Sequence, residues 1–466
     1  MDKISKKNQM NKRIQILRKK FKKYNIDGYV IPKNDDYFTE YSKVNRLKII
    51  SNFTGSAGIA VILKNKNYLF ADGRYTIQSQ IESGKDFKIV DYEKIINCKL
   101  FKNLTLGIDP KLFTYNQIKK YFKKNNKIKF IKKNLIDEIQ IKKIDDLFPF
   151  YSLNKSIVGE NSHSKINKIS KFIKKNKCDY LFISAPENVA WILNIRGGDS
   201  PNSPIPNSRL IISKTKKIYL ICEIKKAKKI IKNKVINLNK VIDIKNFQNK
   251  ILKLKGKKFI IDEKSCSIYL EDIIKSKFKI SKREDPTYLL KAIKNKVEIK
   301  NMVNSHIIDG VALTKFIYWI KNVRRKKLNE FQAQNKLENF RKLNKNYLYP
   351  SFDTIAGSGK NGAIVHYRAK KNNSKTINKK DIFLCDSGGQ YNYGTTDVTR
   401  TICFSKPKSQ IKDIFTKVLK GHIAVANTNL NKDNFGKKID IRARKFLKKS
   451  NLDYSHGTGH GVGFFL

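Results

Sequence analysis

At 466 residues with 40% apolar composition, the chain is long enough for about three domains with cores of their own, which excludes a disordered protein. Its 99 basic against 39 acidic residues give a formal charge of +60, a balance that ordinarily points to nucleic acid or an anionic membrane. The basic residues are mostly Lys, spread from Lys3 to Lys449, and come with inflated Ile and Asn, as in "KKIIKNKVINLNKVIDIKNFQNK"; the three share AT-rich codons, so a coding bias with solvated lysine faces explains the charge, and neither nucleic acid nor membrane is expected as a partner.

The first stretch, "MDKISKKNQMNKRIQILRKKFKKYN", is charged but has no apolar h-region, and no segment reaches the ~18 uninterrupted apolar residues of a membrane helix, so a cytoplasmic location is expected. Within it Ile14, Leu17, Phe21 and Tyr24 recur at helical spacing; Asp27 follows, and "GYVIP" suits a buried strand. The design returns 152 positions later: Ile14, Leu17, Phe21, Asp27 and Ile31 have counterparts at Ile166, Ile169, Ile173, Asp179 and Ile183, with "YLFIS" as the strand. Strand pairs follow in both places, "AGIAVILKNKNYLFADGR" and "SRLIISKTKKIYLICEI", each with a Lys-rich turn. The repetition predicts two copies of one α/β domain, over residues 1–152 and 153–286.

Asp285-Pro286 in "REDPTYLL" reads as a domain junction, and a long helical stretch, "KNKVEIKNMVNSHIIDGVALTKFIYWIKNV", opens a third, α+β segment over 287–466. Two more helices are expected there, one presenting Ile411, Ile414, Phe415 and Val418 on a single face, the other Ile439, Ala443, Phe446 and Leu447. The six cysteines (Cys98, Cys178, Cys222, Cys266, Cys385 and Cys403) form no CxxC pair, which fits a reducing cytosol.

Chemistry concentrates in the third segment, which holds five of the six histidines. In "DIFLCDSGGQYNYGTTDVTRTICF", Asp386 and Asp397 flank a turn between two β-prone runs, where a hairpin can set both side chains on one face. Paired buried carboxylates need a shared proton or a cation; a divalent metal suits them, with His460 as a possible imidazole ligand, while two solvated loop aspartates are the plain alternative. "HGTGHGVG" surrounds His456 and His460 with glycines at 457, 459, 461 and 463, which suggests close backbone approach or positive φ. His366 follows another glycine-bearing stretch, whereas His163, His306 and His422 read as structural.

Taken together, "FDTIAGSGKNGAIVHY", "LCDSGGQYNYGTTDVTRT", "VLKGHIAV" and "LDYSHGTGHGVG" resemble the catalytic domain of the Xaa-Pro aminopeptidases (aminopeptidase P), which belong to the pita-bread metallopeptidases. "FTGSAGIAV", "ADGRY" and "ENVAWILNIRGGD" resemble the two creatinase-type N-terminal domains of the three-domain form. The resemblance implies two α/β domains followed by a pita-bread domain, and release of the N-terminal residue from peptides with proline second. It further implies that Asp386, Asp397 and His460 bind metal, that His366 and His456 face the substrate and hold the scissile carbonyl, and that two manganese ions are the cofactor, lowering the pKa of an attacking water. A homodimer is implied by analogy. Prolidase-like dipeptide cleavage and a non-catalytic binding module stay open as alternatives.

Beyond the HGTGHG stretch the family continues with a further histidine loop and two glutamate ligands, one of them the general base. Without them the pita-bread domain is incomplete, as is the second metal site, so the 466 residues alone are expected to be inactive or nearly so and prone to aggregate. Xaa-Pro hydrolysis by the purified 466-residue chain checks this.

Overall fold

The computed structural model describes residues 3–39, 44–96, 98–122, 125–140, 147–323, 327–433 and 435–465; Leu466 lies outside them. The helix Lys3–Tyr24 buries Met10, Ile14, Leu17 and Phe21 against a six-stranded sheet, while Tyr24 stays half-buried at the end of the stripe. The sheet runs in the order Lys88–Asp91, Asn67–Ala71, Gly58–Leu63, Gly28–Pro32, Thr105–Ile108, Lys127–Phe130.

A second six-stranded sheet repeats this plan: Val241–Ile242, Ile218–Ile221, Arg209–Ser213, Tyr180–Ile183, Lys258–Ile261, Lys279–Lys282. In both, the first strand in sequence is central, pairs antiparallel with the next long strand, and pairs parallel on its other side. The helix Ser162–Lys175 buries Ile166, Ile169 and Ile173, the counterparts of Ile14, Leu17 and Phe21. Layers cover both faces of the central strands, and "GYVIP" and "RLIIS" are accordingly buried throughout.

The two repeated aspartates make the same bonds. Asp27 accepts from the Thr105 amide at 2.9 Å and the Lys64 ammonium at 2.7 Å, and Asp179 accepts from the Lys257 amide at 2.7 Å and the Lys214 ammonium at 2.8 Å. Each carboxylate thereby fixes the entry to a central strand.

Asp285-Pro286 is a tied turn rather than a loose linker. Asp285 is buried, accepts from Asn188 at 2.8 Å and the Thr287 amide at 2.9 Å, and donates its own N–H to Asp262 at 3.0 Å. The long helix follows as Lys296–Asn322, started by a capping box in which Asn295 and Glu298 satisfy each other's backbone N–H groups. Helix Glu330–Lys342 lies against it, and the two pack on a three-stranded antiparallel sheet of Ile355–Ser358, Ile382–Ser387 and Val398–Cys403.

Helices Ser409–Ala426 and Gly436–Lys448 cross at Gly421, where a Cβ would meet the Ala443 carbonyl at 2.3 Å. Ala443 and Leu447 are buried as expected, but the face containing Ile411, Ile414, Phe415 and Val418 is not: Phe415 and Val418 are each 52% exposed. Helical periodicity shows that a face is apolar without supplying its partner. Ile299, Val303, Ile307 and Val311 form a similar exposed stripe on Lys296–Asn322. Among the described residues, no helix is long and apolar enough to cross a membrane.

Candidate active site

Asp386 lies on strand Ile382–Ser387, opposite Thr399, and Asp397 immediately precedes strand Val398–Cys403. The simple hairpin expected from sequence is corrected here. Between the two aspartates the chain forms a second excursion, Gly389–Tyr391 and Gly394–Thr395, which joins Tyr347–Pro350 in a separate sheet. The strands cross closely at Gly388, where a Cβ would stand 1.9 Å from the Thr396 carbonyl oxygen, so a residue without a side chain is required. Asp386 and Asp397 therefore sit diagonally, two positions apart in register, which still leaves them on one face.

Behind this sheet lies a fully buried ion pair. Arg341 donates to both oxygens of Asp309, at 2.7 and 3.2 Å, and to the Ser387 hydroxyl at 3.0 Å, and Tyr391 donates to Asp309 at 2.7 Å. It fastens the end of the Asp386 strand to two helices.

His366 comes to the same place by another route. Buried Glu330 accepts from the Ser358 amide at 2.8 Å, Asn361 at 3.0 Å, the Tyr367 hydroxyl at 2.7 Å and the Lys375 amide at 2.8 Å, shaping the 358–367 loop that carries the histidine. His366, Asp386, Asp397 and His460 line one cavity of about 400 Å³. His460 Nε2 lies 3.6 Å from Asp397 Oδ2.

His456 does not join them. It is exposed, stacks on Tyr454 with ring centroids 4.7 Å apart, and leaves the cavity lining to His460 and the residues after it. Arg444 of the last helix holds the loop in this pose, donating to Asp453 and to the carbonyls of Tyr454 and His456, each at 2.7 Å. The glycines also differ from expectation: a Cβ at Gly457, Gly459 or Gly461 would meet nothing within 4 Å, and none of the three has positive φ.

Burial raises the proton affinity of Asp386, and the nearby charge of Asp397 raises it further against the opposing pull of Thr399 and His460. Asp397 is also raised by burial, with His460 and His306 acting in the opposite sense. Asp386 Oδ1 is buried with no hydrogen-bond partner among the described residues. An orphaned carboxylate oxygen, a second carboxylate and an imidazole on one cavity fit a divalent cation. Among the described residues, however, no three His, Cys, Asp or Glu side chains are gathered tightly enough to form a ligand set by themselves.

The cavity also takes residues from the first domain that sequence reading left without a role. Ser56, Arg74 and Tyr75 line it, and Tyr75 Oη lies 2.5 Å from His366 Nδ1. The one signal was the quoted "ADGRY", but nothing in a linear sequence says that this turn reaches a histidine 291 residues away. Asp353 and Arg368, paired at 2.9 Å, add a charged edge to the cavity.

The family model for metallopeptidase family M24 matches residues 300–466, and the creatinase/prolidase N-terminal domain matches twice, over 13–139 and 144–298. Xaa-Pro aminopeptidase 1 of Dictyostelium discoideum is 35% identical over 490 residues, spanning 98% of this chain and 77% of that protein. The chain belongs to the Xaa-Pro aminopeptidase family. By class it is a metallo-exopeptidase with two creatinase-type domains ahead of a pita-bread domain. Xaa-Pro aminopeptidase ApepP of Drosophila melanogaster is 34% identical, covering 95% of this aminopeptidase chain and 75% of the fly protein. The solved X-prolyl aminopeptidase of Caenorhabditis elegans, described as a cytosolic enzyme with a di-nuclear active site, superposes with a TM-score of 0.88 at 26% identity, over 98% of this chain and 80% of its own.

Proposed function

We propose that Asp386, Asp397 and His460 contribute ligands to a site for two divalent ions, with manganese as the expected metal, and that this aminopeptidase removes the residue preceding proline at a peptide N-terminus. The observation that carries the reading is the cavity that Asp386 shares with Asp397 and His460, together with the buried Asp386 Oδ1 that has no hydrogen-bond partner among the described residues. When bound, the ions would polarise the scissile carbonyl and acidify a water. Asp386 and Asp397 neutralise that charge, His460 adds the nitrogen that favours a first-row transition metal, and His366 supplies a hydrogen bond to the carbonyl. His456, the second substrate-side histidine of this reading, is exposed and stacks on Tyr454.

The three units in this reading are 1–152, 153–286 and 287–466, and the first contributes wall to the catalytic cavity. A homodimer in the cytoplasm completes it, supported by the cytosolic description of the C. elegans enzyme and checked by sedimentation velocity. Calorimetric titration with Mn(II) tests the site: weak binding is expected, and Asp397→Ala abolishes it. Binding that ignores Asp397 refutes the metal assignment. Tighter binding of an Xaa-Pro tripeptide than of an Xaa-Pro dipeptide separates this reading from a prolidase-like one.

A further inference from the structure

Tyr75 belongs to the first domain yet acts at the cavity of the third. It ends the short turn Gly73–Tyr75, started by Asp72, whose side chain accepts from the Arg74 amide. The turn is pressed onto the loop that carries His456: a Cβ at Gly73 would stand 2.4 Å from the Ser455 carbonyl. The tyrosine is 1% exposed, with its ring edge-on to Phe53 at 5.5 Å and to the His366 ring at 5.2 Å. Its hydroxyl lies 2.7 Å from Ser56 Oγ and 2.5 Å from His366 Nδ1.

A neutral imidazole carries one proton, and the partner of one nitrogen decides what the other can do. Two directions are available to the Ser56–Tyr75–His366 chain. If the phenol donates to Nδ1, with the serine donating to the phenol oxygen, the ring proton is on Nε2. If Nδ1–H donates to the phenol, Nε2 is a bare acceptor. A phenol is the more acidic donor of the pair, and an imidazole that is to hold a carbonyl oxygen must present N–H on its other nitrogen.

We propose that Tyr75 is a positioning residue whose hydroxyl, backed by Ser56, donates to Nδ1 of His366 and locks that histidine in its Nε2–H form, so that the first domain sets the hydrogen-bonding polarity of the catalytic cavity. The proposal rests on the aminopeptidase reading for what the Nε2–H group contacts. The hydrogen-bond chain itself does not depend on it.

The test uses the whole chain labelled with ¹⁵N-histidine, with long-range ¹⁵N–¹H spectra assigned by His366→Gln. The expected wild-type signature is a pyridine-type Nδ1 and a pyrrole-type Nε2. Tyr75→Phe keeps the ring and its packing but removes the hydroxyl, so the tautomer preference falls by about tenfold toward an average of both forms; unchanged signals from the other histidines confirm folding. Ser56→Ala gives a smaller shift in the same direction. The opposite tautomer, an imidazolium in the wild type, or a signature indifferent to Tyr75→Phe overturns the proposal.

A second measurement reads positioning directly. Tyr75→Phe is expected to weaken binding of the tripeptide Ala-Pro-Ala roughly tenfold while leaving Mn(II) affinity unchanged; a tautomer shift with unaltered peptide affinity overturns the positioning role. Wild-type chain that binds neither Mn(II) nor tripeptide refutes the aminopeptidase reading instead, and the tautomer spectra still decide the hydrogen-bond chain.

Discussion

Single charged side chains hold this molecule together both in its interior and nearer its surface. Arg341 and Asp309 are both fully buried and paired at 2.7 Å, so Arg341→Ala leaves Asp309 as an uncompensated charge and is expected to cost about 3–5 kcal/mol in urea unfolding. Asp179 stands nearer the surface. Burial alone would raise its carboxyl, but the Lys214 ammonium and the amides of Lys257 and Lys258 bring it down from 3.8 to about 2. A lowered carboxylate pKa stabilises the fold fully above about pH 4, and that contribution disappears as pH falls through about 2. Asp179→Asn should therefore lower stability by about 1 kcal/mol at pH 7, after allowance for solvent screening, and by little at pH 2, read as thermal melts at the two pH values. Asp386, Asp397 and His366 could be singled out from sequence because their residue types and flanking glycines are unusual in a lysine-rich chain. The stacking of His456 on Tyr454 could not, because Arg444 binds the backbone of that loop and backbone partners leave no mark on residue type.

At the scale of elements, the strand crossing beside the aspartates is the sensitive point. Gly388→Ala sets a methyl against the Thr396 carbonyl and must part the two segments. It is expected to cost about 1–3 kcal/mol and to weaken Mn(II) binding, because Asp386 and Asp397 move apart with the strands; differential scanning calorimetry and metal titration check both effects. The helices and central strands of the two repeated domains were legible, since Ile14, Leu17 and Phe21 and their counterparts at 152 residues' remove obey a 3.6-residue period set by backbone geometry alone. The excursion between Asp386 and Asp397 was not. Gly389–Tyr391 pairs with Tyr347–Pro350 some forty residues back, and a period-2 pattern only three residues long carries no information about its partner.

Across the whole molecule, each N-terminal domain contacts the third segment. The first reaches His366 through Tyr75. The second reaches the segment after His460 through Arg196, a fully buried guanidinium that donates to the Phe465 carbonyl at 2.8 Å and the Phe464 carbonyl at 3.4 Å, and whose burial pushes its pKa down to about 10. Arg196→Met preserves most of the buried volume but releases these carbonyls. Mn(II) affinity is expected to fall roughly tenfold, as when a residue supporting a metal ligand is removed, with the far-UV spectrum unchanged. By itself the sequence determined the duplicated α/β plan, the family and the residue types available for metal and substrate, because periodicity and short motifs are local and survive in one dimension. Only the tertiary structure decided that His366 and His460 line one cavity, that Asp386 keeps a buried oxygen without a hydrogen-bond partner among the described residues, and that Tyr75 and Arg196 reach the third segment from other domains. Those outcomes depend on burial and on contacts between residues hundreds of positions apart, which linear spacing does not encode.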